Sequence, residues 1–167
     1  MIYFITGGQR SGKSSYAQKL ALQFSDSPLY IATSRVWDDE HKQRIERHKN
    51  DRDERWTTIE EEKFLSRINL DNKVAVIDCI TLWLTNFFID TNNNVDDALK
   101  EVKMELDLLF QKKSTLIIVS NEIGMGLHAE TEIGRKFTDL QGWTNQYIAA
   151  LADKVYLMVS GIPVAIK

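Results

Sequence analysis

The stretch ITGGQRSGKSSY, residues 5–16, contains a complete phosphate-loop signature. Gly7, four further residues, and then Gly12, Lys13 and Ser14 match the pattern G-x-x-x-x-G-K-[ST] in full. The pattern follows a β-prone run and opens an amphipathic helical pattern, which is the context that the loop requires. Its glycines allow backbone N–H groups to curl around phosphates, and the helix amino terminus adds a partial positive charge. The stretch therefore predicts a nucleotide-binding loop between a strand and a helix.

Four side chains in or near this loop are candidates for binding phosphate, metal or substrate. Lys13 is expected to reach the β- and γ-phosphates, and the Ser14 hydroxyl is expected to ligate Mg²⁺. A magnesium site usually needs a carboxylate at the end of another strand, and VAVID, residues 74–78, supplies Asp78. The alternative is that Asp78 merely caps a strand. Glu122, at the end of LIIVSNE, is a candidate for positioning substrate or water, or else an ordinary loop residue.

Apolar β-prone runs recur along the chain, and helical patterns separate most of them. The runs are Ile2–Thr6, Leu29–Thr33, Val74–Asp78, Thr115–Ser120 and Val155–Ser160. Apolar stripes that start near Ser14, Val95 and Ile133 predict three helices. This alternation predicts an α/β fold in which helices cover a mostly parallel sheet, within a single domain over residues 1–167.

Composition narrows the class of protein and its location. The chain has 24 acidic and 21 basic residues, so a small anionic ligand is a simpler expectation than a nucleic acid. The single cysteine, Cys79, excludes an internal disulfide, and its apolar surroundings predict a buried structural thiol. The amino-terminal residues do not resemble a secretory signal, and the apolar stretch Cys79–Ile89 is shorter than the roughly 20 residues that span a bilayer. We therefore expect a cytoplasmic protein without a membrane span.

The segment DDEHKQRIERHKNDRD, residues 38–53, has hardly any apolar residue except Ile45. A solvated, charged surface segment is the simplest interpretation of that composition. If the segment is helical, Arg44 and Arg52 lie one turn to either side of His48, on the same face. A neutral imidazole is a capable nucleophile toward an α-phosphorus, so His48 is also a candidate for forming a covalent phosphoramidate. Spacing alone leaves both interpretations open.

Several stretches of the chain together resemble a known enzyme family. They are GGQRSGKSSYA, YIATSRVWDDEHKQRIERHKNDR, VIDCITLWLTN, IIVSNEIGMGLHAETEIGRKFTDLQGWTNQYIAALAD and VSGIPVAIK. In this order, from residue 2 to 167, they resemble the bifunctional adenosylcobinamide kinase and adenosylcobinamide-phosphate guanylyltransferase of cobalamin biosynthesis. The phosphate loop is shared by many families, so RIERHK and NEIGMG are the stretches that make the resemblance specific.

The resemblance implies a RecA-like P-loop NTPase fold and two reactions. In the first, ATP or GTP phosphorylates the aminopropanol hydroxyl of adenosylcobinamide. In the second, GTP guanylylates an enzyme histidine with loss of pyrophosphate, and the GMP then moves to adenosylcobinamide phosphate, giving adenosylcobinamide-GDP. The guanylylated histidine corresponds to His48, whereas His41 and His128 match no catalytic position.

The resemblance and the loop motif together predict the nucleotide contacts. These are Gly7, Gly8, Gln9, Arg10, Ser11, Gly12, Lys13, Ser14 and Ser15 in the loop, Thr33, Ser34 and Arg35 after the second strand, Lys49, Asn50, Asp51 and Arg52 after the histidine, and the acidic residues Glu60 and Asp78. Glu61 is an alternative to Glu60. The resemblance also implies a homotrimer with nucleotide clefts between subunits, which would bury exposed apolar residues such as Trp83, Phe87 and Phe88.

Two other classes of protein stay open at this stage. A monofunctional P-loop small-molecule kinase needs the phosphate loop and Asp78 but no nucleophilic histidine. A nucleotide-dependent switch or binding protein would hydrolyse nucleotide slowly and would lack an acceptor pocket. For a kinase, the general base that accepts the proton of the acceptor hydroxyl is open between Asp78 and Glu122.

Overall fold

Within residues 1–35 and 52–167, the strand that leads into the phosphate loop lies inside a sheet of seven strands. The computed structural model describes residues 1–35 and 52–167. Their elements are β1 (Ile2–Gly7), α1 (Lys13–Phe24), β2 (Leu29–Ala32), β3 (Thr57–Glu60), a 3-10 helix (Leu65–Arg67), β4 (Val74–Asp78), α2 (Ile80–Asp90), α3 (Val95–Phe110), β5 (Thr115–Val119), α4 (Glu132–Leu151), β6 (Lys154–Val159) and β7 (Ile162–Ala165). The predictions for residues 36–51, including His48, lie outside the described residues.

The sheet has the strand order β3-β2-β4-β5-β1-β6-β7, and all neighbouring pairs are parallel except β6 and β7. Strand β5 lies between β1 and β4, so the carboxyl ends of these three strands meet at one edge. Val119 on β5 pairs with Ile5 of β1 on one side and with Asp78 of β4 on the other. The phosphate loop and Asp78 are therefore brought to the same edge of the sheet, where open α/β sheets bind ligands.

Helices cover both faces of the sheet because alternate residues of each buried strand point to opposite sides. Phe4 and Ile77 pack in a core with α2, α3 and α4. Ile5 and Val76, their neighbours in the sequence, pack on the other side with Ala17 of α1. This arrangement confirms the predicted α/β fold class, in which helices flank a mostly parallel sheet.

Local sequence explains where the two long helices begin. The Asn94 side chain accepts hydrogen bonds from the N–H groups of Asp96 and Asp97 at the start of α3. The Thr131 hydroxyl accepts one from the N–H of Gly134 at the start of α4. Such N-caps satisfy backbone donors that the first helical turn leaves without partners.

The expectation that Trp83, Phe87 and Phe88 are exposed was wrong. Their exposed fractions are 0%, 2% and 3%, and all three lie in the core of the chain itself. The Trp83 indole N–H donates to the Lys63 carbonyl at 3.0 Å, and the Phe88 ring lies 5.5 Å from that of Phe137 on α4. Helix α2 is apolar around most of its surface because the sheet and two other helices cover it. These residues therefore give no support to a trimer interface.

The structure adds elements that sequence patterns did not predict, namely β3, β7 and α2. Among residues 1–35 and 52–167, no helix combines the length and the apolar character that a bilayer span requires.

Candidate functional site

A cleft of about 550 Å³ opens at the carboxyl edge of β1, β4 and β5. The phosphate loop forms one wall through residues 9–15. Other lining residues come from distant parts of the chain and include Tyr30, Ser34, Arg52, Asp78, Cys79, Asn121 and Glu122. The structure thus brings most of the predicted loop residues together with Ser34, Arg52 and Asp78.

Two glycines of the phosphate loop occupy positions that a side chain would disturb. Gly7 has φ +148°, and a Cβ there would lie 2.6 Å from the Met158 carbonyl oxygen. Gly12 has φ +93°, and its Cβ would lie 3.1 Å from Cα of Gly161. The Gly161 N–H also donates to the Ser11 carbonyl at 2.9 Å. The turn between β6 and β7 therefore packs directly against the loop and supports its shape.

Helix α1 starts differently from α3 and α4. Its N-cap is Gly12, and no side chain of the described residues caps its first turn. The N–H groups at its amino terminus face the loop, where a bound anion would satisfy them and interact with the helix dipole. This end of α1 is therefore suited to a phosphate group.

The Lys13 side chain lies inside the cleft and is only 7% exposed. Its ammonium group donates to the Gly8 carbonyl oxygen at 2.6 Å. Burial lowers the pKa of Lys13, and the nearby Cys79 and Asp78 act in the opposite direction. A polyphosphate bound in the loop would pair with the ammonium group and so offset the cost of its desolvation.

Ser14 and Asp78 both line the cleft, and Asp78 is oriented by a residue that sequence analysis missed. The Tyr30 hydroxyl donates to Oδ2 of Asp78 at 2.8 Å. Burial raises the pKa of Tyr30, so the phenol stays protonated and remains a donor. A hydroxyl and a carboxylate are hard oxygen ligands, and Mg²⁺ at phosphate sites takes one or two protein ligands of this kind. The residues present therefore fit the predicted magnesium site.

Arg52 extends over the Tyr30 ring, with its guanidinium carbon 3.8 Å from the ring centroid. Its Nε and Nη1 atoms are buried and have no hydrogen-bond partner among the described residues. Burial of guanidinium N–H groups without acceptors is costly. Arg52 is therefore placed to donate to a phosphate or carbonyl oxygen of a ligand in the cleft.

The predicted contacts after β2 have different surroundings. Ser34 lines the cleft, whereas Thr33 is fully buried and donates to the Cys79 carbonyl at 2.8 Å. The Arg35 guanidinium pairs with Glu62 at 2.7 Å and with Asp90 at 2.9 Å. In this arrangement Thr33 supports the cleft wall from behind, and Arg35 joins two neighbouring segments.

Glu60 and Glu61, at the end of β3, have different surroundings. Glu60 is exposed, ends β3 and is not among the residues that line the cleft. Oε1 of Glu61 accepts from the N–H groups of Lys63 and Phe64, which closes the turn after β3. The nucleotide contact at Glu60 stays a prediction.

The predicted burial of Cys79 is confirmed, since the residue is 8% exposed. Burial raises the pKa of its thiol to about 12, with Asp78 acting in the same direction. The thiol is therefore protonated at neutral pH and is a poor nucleophile.

We expect a thiol reagent at pH 8 to modify Cys79 in the native protein at least about tenfold more slowly than in the denatured protein. Equal rates, measured by mass spectrometry of the alkylated chain, would contradict this assignment.

The chain is similar to known proteins along nearly its whole length. Residues 3–166 match the family described as cobinamide kinase / cobinamide phosphate guanyltransferase. The chain is 38% identical over 182 residues to the bifunctional adenosylcobalamin biosynthesis protein CobU of Escherichia coli strain K12, with 100% of both chains covered. It is 35% identical to the bifunctional protein CobP of Pseudomonas aeruginosa, covering 98% of this chain and 95% of that one.

A solved structure, the KaiC-like protein PH0186 from Pyrococcus horikoshii OT3, is similar to this chain with a TM-score of 0.49. The two sequences are 13% identical, and the match covers 93% of this chain and 69% of that chain.

The family match and the two bifunctional relatives, CobU and CobP, confirm the resemblance that the sequence motifs indicated. This chain belongs to the cobinamide kinase / cobinamide phosphate guanyltransferase family.

Proposed function

We propose that this enzyme carries out two successive transfers at the cleft beside Lys13. It phosphorylates adenosylcobinamide with ATP or GTP, and it then transfers GMP from GTP to adenosylcobinamide phosphate through a guanylyl-histidine at His48. Family membership makes the chain a transferase of the nucleotide loop assembly of cobalamin. The observation that carries the proposal is the buried Lys13 ammonium group in a phosphate loop that faces Asp78 across one cleft.

In the kinase step, the acceptor oxygen attacks the γ-phosphorus, and the bond from that phosphorus to the bridging oxygen breaks. Lys13 and the loop N–H groups stabilise the charge on the transferred phosphoryl group and on the departing diphosphate. Ser14 and Asp78 would hold Mg²⁺, which supplies further neutralisation of that charge when bound. Positioning of the substrates and electrostatic stabilisation therefore account for most of the rate enhancement in this step.

In the guanylyl step, an imidazole nitrogen of His48 attacks the α-phosphorus of GTP, and pyrophosphate leaves as the P–O bond breaks. An ionised phosphate oxygen of adenosylcobinamide phosphate then attacks the same phosphorus, and the P–N bond breaks. Arg52, four residues after His48 in the sequence, lies in the cleft, and its Nε and Nη1 atoms have no hydrogen-bond partner among the described residues. This placement supports assigning His48 to the same cleft.

The family match favours the bifunctional enzyme over a monofunctional kinase or a nucleotide-dependent switch. The relatives named above are themselves called bifunctional. We also propose that the enzyme is cytoplasmic and forms a homotrimer, and that residues 1–167 constitute one catalytic domain.

Mass spectrometry of the intact protein after incubation with GTP and Mg²⁺ tests the proposal. We expect the mass of one GMP to be added, on the peptide that contains His48, and no addition when EDTA removes the metal. Adding adenosylcobinamide phosphate should remove the adduct and yield adenosylcobinamide-GDP. Phosphorylation of adenosylcobinamide without any adduct would instead identify a monofunctional kinase.

A further inference from the structure

We infer that Glu122 orients the acceptor hydroxyl in the kinase step and takes its proton. The inference rests on the proposed function and decides between the two carboxylates that sequence analysis left open. Glu122 lines the cleft together with Lys13 and Asp78. It follows β5, the strand between β1 and β4, so it lies between the phosphate loop and Asp78 along the edge of the sheet.

Glu122 is attached to the end of β1 by both its backbone and its side chain. Its N–H donates to the Gly7 carbonyl at 3.1 Å. The Thr6 hydroxyl donates to Oε1 of Glu122 at 2.9 Å. Because Gly7 begins the phosphate-loop motif, these two hydrogen bonds hold the carboxylate at a set position relative to the loop.

A buried polar network orients the same carboxylate from the side of α4. The Asn145 amide nitrogen donates to Oε1 of Glu122 at 2.9 Å and to the Asn121 carbonyl at 3.1 Å. The Asn145 amide oxygen accepts from the Ser120 hydroxyl at 2.7 Å and from the Gln141 amide at 3.0 Å. These two donors determine which end of the Asn145 amide faces Glu122.

The network leaves one oxygen of the carboxylate available. Thr6 and Asn145 both donate to Oε1, whereas Oε2 has no hydrogen-bond partner among the described residues. Ser120, Gln141 and Asn145 are 0%, 1% and 6% exposed, so the network lies in the interior. Buried polar groups held in this way are rigid, and rigidity is what a positioning carboxylate needs.

Asp78 is less suited to the same role. One of its oxygens accepts from the Tyr30 hydroxyl, and Asp78 is the carboxylate that we assign to Mg²⁺ together with Ser14. A carboxylate that binds a divalent cation is a weak proton acceptor. These two carboxylates therefore have separate roles, with Asp78 on the metal and Glu122 on the acceptor.

In the kinase step, the hydroxyl oxygen forms a bond to the γ-phosphorus, and its proton moves to Oε2 of Glu122. The electron pair of the broken bond stays on the departing nucleoside diphosphate, and the proton is later released to solvent. Since transition states of phosphoryl transfer are loose, the proton moves late and Glu122 contributes much of its effect by orientation.

The guanylyl step has no such requirement. His48 attacks as a neutral imidazole, and adenosylcobinamide phosphate attacks through an oxygen that is already ionised. Neither nucleophile carries a hydroxyl proton that a base must remove. Loss of the Glu122 carboxylate should therefore affect one of the two activities selectively.

The Glu122→Gln variant tests this separation. Its amide oxygen can still accept from Thr6 and Asn145, so the substitution removes chiefly the proton acceptor. We expect kcat for phosphorylation of adenosylcobinamide to fall about a hundredfold, with formation of the GMP adduct from GTP changed by less than about twofold. Glu130→Gln, a change at an exposed carboxylate after Glu122, is the matched control and should keep both activities.

Several outcomes would overturn the inference. Full kinase activity in Glu122→Gln would do so, and so would equal loss of both activities, because it would show a purely structural role. If this variant fails to fold, Glu122→Asp keeps the carboxylate but withdraws it by one methylene, and it should lower kinase kcat alone. Wild-type protein that neither forms the adduct nor phosphorylates adenosylcobinamide would instead overturn the proposed function, and the inference with it.

Discussion

Replacing His48 by alanine is expected to abolish transfer of GMP while phosphorylation of adenosylcobinamide persists. Alanine has no nucleophilic nitrogen, so the phosphoramidate cannot form, whereas the kinase step uses the phosphate loop and needs no covalent intermediate. GTP labelled at the α-phosphate measures the effect. Wild-type protein should retain acid-labile, base-stable label, and His48→Ala should retain none.

His128 provides the control for this experiment. It is an exposed histidine on the connection between β5 and α4. The His128→Ala variant should be labelled at the wild-type rate. Label that survives in His48→Ala would show that another residue carries the GMP.

The second large effect is expected at Lys13, whose replacement by alanine should impair both reactions. Its buried ammonium group donates to the Gly8 carbonyl and lies where the phosphates of either nucleotide would bind. We expect kcat/KM for phosphorylation and the rate of GMP adduct formation each to fall at least about tenfold, or about 1.4 kcal/mol in activation free energy. Steady-state kinetics and single-turnover labelling measure the two effects.

Lys19 is the matched control because it is an exposed lysine on the same helix, α1. Lys19→Ala removes the same charge from the chain and should leave both rates near those of the wild type. Thermal unfolding of both variants separates loss of activity from loss of fold. Unchanged rates in a folded Lys13→Ala protein would show that the loop is structural only.

The sequence predicted the strands that are buried on both faces and missed those that are exposed. The five predicted strands agree with β1, β2, β4, β5 and β6 to within about one residue, because strands buried on both faces are nearly continuous apolar runs. In contrast, β3 is mostly exposed, and β7 is exposed along its whole length. Such strands lack the apolar signal and were missed. Helix α2 was missed because it is apolar around most of its surface and therefore lacks the amphipathic stripe by which the other helices were predicted.

The long-range contacts of the site could not be read from sequence spacing. Tyr30 reaches Asp78, and Asn145 reaches Glu122, only because β2 neighbours β4 and α4 packs beside the end of β5. The polar residues Gln141, Thr144 and Asn145 on the buried face of α4 were a signal that sequence analysis passed over. The error over Trp83 had the same origin, because apolar character does not tell which surface covers a side chain.

The sequence by itself determined the phosphate loop, the fold class and the family, and the nucleophile at His48 stays a prediction. Each of these depends on residue types at short spacing, or on motifs in a constant order, and local backbone chemistry connects such patterns to structure. Only the tertiary structure decided which side chains surround Lys13, how the hydrogen bonds of Asp78 and Glu122 differ, and that Thr33 and Arg35 contact other residues of the chain instead of lining the cleft. Those distinctions depend on burial and on hydrogen bonds between residues far apart in the chain, which form only when the sheet and its helices assemble.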